Sequence, residues 1–195
     1  MQLPTEILKE EHRAIERMLN VLETFIRRAE YGEHIAPHYF GNALQFIQQF
    51  ADQCHHGKEE NVLFPAMERN GFSRQMGPVA VMLNEHEEGR SYVRAMKDAL
   101  ETMGNNGATN IAQFTLPAKN FISLLRNHIM KEDTILFVMA ENNLPAKEKE
   151  TLVAEFGKLE NEGKICRQKT ELLSLLNQME EEISRQQFSQ EKVIV

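Results

Sequence analysis

The stretch that decides the fold occurs twice, as HGKEENVLF at residues 56–64 and as HIMKEDTIL at residues 128–136. In each copy a histidine is followed four residues later by a glutamate, and apolar residues come next. Residues four apart lie on one face of an α-helix, with their β-carbons roughly 5–6 Å apart. Each copy therefore presents an imidazole beside a carboxylate, a nitrogen and oxygen donor pair that suits iron, zinc or manganese.

The chain around these copies is predicted to be helical, because its apolar residues recur at three- and four-residue steps. Four long helices are expected over about residues 5–30, 37–67, 73–104 and 110–140. Short connections between them are typical of an antiparallel up-and-down four-helix bundle. A fifth helical stretch, about residues 146–187, has heptad-like apolar spacing from Ile165 to Ile183. We expect an all-α protein with a metal-binding bundle over residues 1–144 and a C-terminal helical extension over residues 145–195, which packs on the bundle or on a partner.

Four histidines, one on each predicted helix of the bundle, are expected at the same height. His12 lies 18 residues before the helix end at Glu30, and His56 lies 18 residues after the helix start at His38. Similar counts from the next two loops place His86 and His128 level with them, within roughly 2 Å at a helical rise of about 1.5 Å per residue. An unpaired buried layer of this kind would cost several kcal/mol, which a bound cation offsets. The predicted metal ligands are therefore His12, His56, Glu60, His86, His128 and Glu132.

Composition excludes several function classes. The chain has 22 Lys and Arg against 29 Asp and Glu, and a formal net charge of −7 argues against nucleic-acid binding and against a polybasic membrane contact. No apolar run approaches the roughly 18–20 residues of a membrane span, and no signal-peptide core is evident, which predicts a cytoplasmic location. Two cysteines, Cys54 and Cys166, are too few for a disulfide framework and are expected to be inert reduced side chains.

The spacing of the six predicted ligands resembles that of the hemerythrin-like (HHE cation-binding) domain family over about residues 5–142. The resemblance implies a four-helix bundle that holds two non-haem iron ions, with zinc or manganese as substitutes. It implies that Glu60 and Glu132 bridge the two ions and that the four histidines cap them.

The sequence departs from the oxygen-carrying members of that family at one position. Those members have a His-x-x-x-His pair on the third helix, whereas here His86 is followed at that spacing by Arg90. We therefore expect one iron to have an open or water-filled position, or to recruit a nearby donor from among Glu59, Glu85 and His55.

The resemblance implies a di-iron protein that engages O2, NO or peroxide in sensing, stress protection or iron handling. Two alternatives stay open at this point. One is an enzyme, either a di-iron peroxidase or catalase or a protein that donates iron for the repair of iron–sulfur centres. The other is a metal-stabilised interaction module that binds a second copy or another protein through its C-terminal helix.

Overall fold

The protein is all-helical, as the sequence predicts. The structure, a computed structural model, describes residues 2–106, 111–161, 166 and 168–191, and no strand occurs in these ranges. The α-helices are α1 (Pro4–Glu30), α2 (Pro37–Phe46), α3 (Phe64–Arg69), α4 (Pro78–Asn106), α5 (Ile111–Lys131), α6 (Phe137–Asn143), α7 (Ala146–Asn161) and α8 (Lys169–Glu191). Three π-helical segments continue them: π1 (Ile47–His56), π2 (Glu59–Leu63) and π3 (Glu132–Leu136). None of the described helices is long and apolar enough to cross a membrane.

Local sequence signals explain where the first helix begins and ends. Pro4 occupies the first turn of α1, where its missing N–H has no intrahelical partner to lose. Glu6 near the start and Arg27 and Arg28 near the end complement the helix dipole. Gly32 then adopts a φ of 88°, a left-handed conformation that glycine reaches without a steric cost, and the chain turns towards α2.

The helices enclose two apolar clusters with a polar layer between them. Contacts join α1 to α2 and α5, and α4 to the same two helices, so the four pack around one interior. The larger cluster includes Met18, Phe25, Phe40, Phe46 and Phe114, and the smaller one includes Leu8, Phe64, Met67, Leu136 and Phe137. On each of the four helical runs, the predicted ligand histidine lies between residues of the two clusters. The interior is therefore divided by a layer of buried polar side chains.

The C-terminal helices pack on this interior through their apolar faces. Helices α7 and α8 both contact α1, and α8 also contacts α2 and π1. Leu152 and Phe156 of α7 join the smaller cluster, and Leu172, Leu176 and Met179 of α8 join the larger one. This face of α8 is buried and is not available to a partner. Ile165, the first residue of the predicted heptad pattern, lies outside the described residues.

The expectation of two reduced cysteines is wrong in this structure, because Cys54 and Cys166 form a disulfide across 112 residues of chain. Packing of the C-terminal segment on π1 brings their α-carbons to 4.7 Å. That separation lies within the range that a disulfide can span. The sequence could not show this contact, since it depends on how the extension docks.

Candidate metal centre

Two adjacent groups of buried side chains form the candidate metal centre. Within each group the potential ligand atoms lie within 4.8 Å of one another. The first position is formed by His12, His55, Glu59 and Glu132, and the second position by His56, Glu59, His86 and His128. Glu59 belongs to both positions. The Oε2 atom of Glu132 lies 3.1 Å from His12 Nε2 and 3.3 Å from His128 Nε2, so this carboxylate also reaches both.

Each of the five histidines is oriented by a carboxylate outside the two positions. The Nδ1–H of each ring donates to its partner at 2.7–3.4 Å, in the pairs His12–Asp133, His55–Glu11, His56–Asp52, His86–Glu60 and His128–Glu85. A carboxylate at Nδ1 fixes the tautomer and leaves Nε2 free for a metal, which is the usual arrangement around metal-bound histidines. The rings are therefore aimed with Nε2 towards the centre.

Several polar atoms at the centre have no hydrogen-bond partner. They are His55 Nε2, His56 Nε2, Glu59 Oε1, Glu59 Oε2 and Glu132 Oε1, and all of them are buried. An unpaired buried polar group costs about 1–3 kcal/mol, and more when it is charged. The orphaned atoms are nitrogen and carboxylate oxygen donors, which are the ligands that iron, zinc and manganese take in proteins. The residues present therefore fit a pair of divalent cations.

The two central carboxylates have opposite pKa shifts. Burial, and then the negative charge of Glu132, raise the pKa of Glu59 well above its ordinary value. Burial also acts to raise the pKa of Glu132, but the neighbouring His128 and His12 hold that pKa well below the ordinary value. Without a cation, Glu59 therefore favours its protonated form beside an ionised Glu132. A bound divalent cation would supply the positive charge that lets both carboxylates ionise.

Glu60, one of the six predicted ligands, lies outside both positions. Its Oε1 accepts a hydrogen bond from His86 Nδ1 at 2.7 Å and another from Arg90 at 2.7 Å, and its side chain is 22% exposed. Glu59, which is fully buried, takes the central place instead. The other five predicted ligands, His12, His56, His86, His128 and Glu132, come together at the centre.

The displacement by one residue has a physical cause in the π-helical segments. The expectation for Glu60 assumed α-helical spacing after His56, but π1 ends at His56 and π2 begins at Glu59. A π-helical turn pairs residues five apart and so contains about one residue more than an α-helical turn. The extra residue changes which side chains face inward, and π-helical turns are frequent at functional sites for this reason.

A different alignment of the internal repeat identifies the donors that the sequence reasoning left among several candidates. With a 73-residue offset, HHGKEENVLF at residues 55–64 matches HIMKEDTILF at residues 128–137 in more positions than the 72-residue offset does. His55 then corresponds to His128, and Glu59 corresponds to Glu132. His55 thus supplies a fifth histidine to the centre, while Arg90 binds Asp52, Glu60 and Glu87 at its edge.

The contacts of the two halves follow the same 73-residue relation. One triad consists of Glu11, His55 and Lys58, and its counterpart consists of Glu85, His128 and Lys131. The rings of Phe64 and Phe137 stack in the same way on His86 and His12. The relation fails at His56, whose counterpart is Ile129. The centre is therefore a near-twofold arrangement in which the second position has one histidine more than the first.

A cavity of about 210 Å3 adjoins the second position. Most of its wall is apolar, and His56 and His86 line it together with Glu85 and Arg90. Its apolar lining includes Ile47, Ala51, Val93, Phe121 and Leu125. One water occupies about 30 Å3 of liquid, so the cavity is large enough for a small molecule. The first position has no residue among those that line this cavity.

Comparison with known proteins identifies the family. The sequence profile described as the hemerythrin HHE cation binding domain matches residues 3–140, so this chain belongs to that family. An uncharacterized protein of Mycobacterium tuberculosis is 24% identical over 151 residues, which are 73% of this chain and 55% of the relative. The iron-sulfur cluster repair protein YtfE of Pectobacterium carotovorum is 29% identical over 117 residues, 59% of this chain and 52% of the relative. This chain thus spans about half the length of these curated relatives. No solved structure matches it.

Proposed function

We propose that this protein binds two iron ions inside an antiparallel up-and-down four-helix bundle. The ion in the first position would be held by His12, His55, Glu59 and Glu132, and the ion in the second by His56, Glu59, His86 and His128. Glu59 and Glu132 would bridge the pair, and Glu60 would orient His86 from outside. Zinc or manganese are expected as substitutes, because neither position contains a sulfur donor.

The observation that carries this proposal is the outward pairing of all five histidines. Five separate carboxylates accept Nδ1–H, and the Nε2 atoms converge on two carboxylates that have unpaired oxygens. A purely structural polar layer would satisfy its central atoms with one another. The family match, which covers a domain described as cation binding, supports the same conclusion.

We further propose that a small ligand, O2, NO or peroxide, reaches the second position through the adjoining cavity. The apolar walls of the cavity suit such a ligand, and His56 and His86 lie at its inner end. Iron supplies the capacity to bind or reduce these molecules. The chain orients the imidazoles and excludes bulk water with its apolar lining. Sensing, stress protection and iron handling are the roles that this arrangement supports.

A second candidate function is the donation of iron for the repair of iron–sulfur centres. It is favoured by the relative that is named an iron-sulfur cluster repair protein. A peroxidase or catalase activity remains the other enzymatic alternative from the sequence. Cytoplasmic location and pairing with a second copy likewise remain expectations from the sequence.

Anaerobic reconstitution tests the proposal. The full chain is incubated with ferrous iron, desalted, and assayed by elemental analysis and optical spectroscopy before and after exposure to air and to NO. We expect two irons per chain and spectral changes with NO. A protein that retains no iron would contradict the proposal. Iron-loaded protein that restores no activity to a damaged iron–sulfur enzyme would exclude the repair role only.

A further inference from the structure

The two triads of the metal centre have different surroundings. In the second triad, the side chain of Lys131 is 29% exposed and pairs only with Glu85 among the described contacts. In the first triad, its counterpart Lys58 is completely buried. The difference arises because the C-terminal helices cover only the first triad.

A cluster of four charges joins the C-terminal helices to the first triad, and we call it the capping cluster. It consists of Glu11, Lys58, Glu160 and Lys169. Lys58 Nζ lies 2.5 Å from Glu160 Oε1 and also pairs with Glu11. Lys169 Nζ lies 2.8 Å from Glu11 and 2.6 Å from Glu160. Since Glu11 is the carboxylate that orients His55, residues of α7 and α8 help to hold a donor of the first position.

The disulfide is a second connection to the same donor. Cys54 directly precedes His55 on π1, and Cys166 lies between α7 and α8. The capping cluster therefore holds the imidazole of His55 through Glu11, while the disulfide fixes the backbone one residue away. Nothing comparable adjoins His128 in the second triad, because its neighbours Asn127 and Ile129 are not cysteines.

We propose that Cys54 and Cys166 form a reversible thiol–disulfide exchange site whose oxidation holds the C-terminal helices over His55 and slows loss of metal from the first position. This inference rests on the proposed function, since it requires metal to be bound there. Its partner is a dithiol, either a small molecule or a redox protein. If the protein is cytoplasmic, the disulfide belongs to a compartment in which such bonds are usually transient or redox-sensing.

The exchange transfers two electrons and two protons. A thiolate of the dithiol attacks the Sγ of Cys166, which is 6% exposed against 1% for Cys54, and Cys54 leaves as the thiolate. The second thiol of the reagent then attacks the mixed disulfide and releases Cys166. The products are two protein thiols, which take up the two protons, and one oxidised dithiol.

Iron release tests the inference on the full chain. Ferrous protein is prepared anaerobically in the oxidised form and after reduction with a phosphine, which is removed by desalting before the assay. Both forms are mixed with a chromogenic ferrous chelator. We expect about half of the iron to leave the reduced form roughly tenfold or more faster, in line with the loss of an outer partner of a metal ligand. Reoxidation with an oxidised dithiol should restore slow release. Equal release rates from two-iron protein in both forms would overturn the inference.

Two variants control for the effect of the reductant. The chain has only two cysteines, so the phosphine acts at one place. Cys166→Ser removes the bond without altering π1, and Cys54→Ser/Cys166→Ser removes both thiols. Both variants should release iron at the fast rate with or without the phosphine, and circular dichroism should show that they are folded. A variant that keeps the slow rate of the oxidised protein would contradict the inference.

Metal-free protein gives an independent readout of the same bond. Closing a loop of more than 100 residues stabilises a chain strongly, so reduction should lower the melting temperature by about 10 °C. Purified protein with two free thiols that an oxidised dithiol cannot join would overturn the inference. If neither form binds iron, the proposed function fails as well, whereas equal release from two-iron protein contradicts only the exchange site.

Discussion

At the scale of single residues, the centre depends most on Glu59. This carboxylate is completely buried, belongs to both positions, and has no hydrogen-bond partner at either oxygen. Its neighbour Glu60 is partly exposed and contacts His86 and Arg90 instead. Two adjacent glutamates thus have separate roles, which substitutions can distinguish.

Glu59→Gln should lose iron, whereas Glu60→Gln should keep two irons per chain when the metal is in excess. The first substitution removes a donor shared by both positions. The second weakens only the orientation of His86, for which a cost of about 10–100-fold in affinity is expected. Elemental analysis and competition with a chelator measure the two effects. Equal iron content in the two variants would contradict the assignment of Glu59.

Glu59→Met should change stability with opposite signs in the two metal states. Methionine is similar in length but apolar, so it removes an unpaired buried carboxylate and should stabilise the metal-free protein by about 1–3 kcal/mol. The same change should abolish the stabilisation that iron gives to the wild type. Thermal unfolding with and without iron measures both. A metal-free variant less stable than the metal-free wild type would show that Glu59 has a favourable role without the cation.

At the scale of the helices, the π-helical segments decide which side chains face inward. The sequence predicted the helices and most of their ends because apolar spacing and turn residues are local signals. It could not give the position of Glu59, since helix type depends on which backbone groups pair and His-x-x-x-Glu reads equally well from His55 or His56. The repeat with the 73-residue offset contained the correct register, but only a comparison of both offsets would have shown it.

Val93→Phe tests the role of the cavity between π1, α4 and α5. Val93 lines the cavity, and a phenyl ring there should fill part of its volume without touching a donor. We expect unchanged iron content and slower binding of NO, which stopped-flow absorbance measures. Val81→Phe on the same helix is the matched control, because Val81 is 44% exposed and does not line the cavity. Equal rates in the two variants would exclude this route.

At the scale of the whole molecule, the near-twofold relation makes the two positions differ by one residue. His56→Ile makes the first half resemble the second, where Ile129 stands. The second position then loses one of its three histidines, and we expect it to bind iron more weakly while the first position keeps its ion. Titration with limiting ferrous iron should give one tight site in place of two. His34→Ala, an exposed histidine far along the chain from the centre, should leave both sites unchanged.

The docking of the C-terminal helices should depend on pH through Glu160. Burial acts to raise the pKa of this carboxyl, but Lys169 and Lys58 hold it below its ordinary value. A carboxyl with a lowered folded-state pKa stabilises the protein above its unfolded pKa of about 4.5 and loses that effect as pH falls further. Glu160→Gln should therefore lower the stability of metal-free protein by about 1–2 kcal/mol at pH 7, and by less near pH 3.5. Glu155→Gln on the same helix, outside the capping cluster, should show no such pH dependence in chemical denaturation.

The extension itself was predicted as helical, but its contacts were not. Heptad-like spacing shows that a helix has an apolar face, and it does not show what that face covers. The disulfide and the capping cluster both depend on tertiary docking, so the two cysteines gave no local signal of their pairing.

The way in which α7 and α8 cover His55 also sets an order of events during synthesis. All seven side chains of the two metal positions precede Asp133, whereas Glu160, Cys166 and Lys169 come later in the chain. Proteins fold from the N-terminus as they leave the ribosome, so the bundle can form while its first position is still uncovered. An ion can enter before the last quarter of the chain has been made, and the helices that arrive afterwards then enclose it.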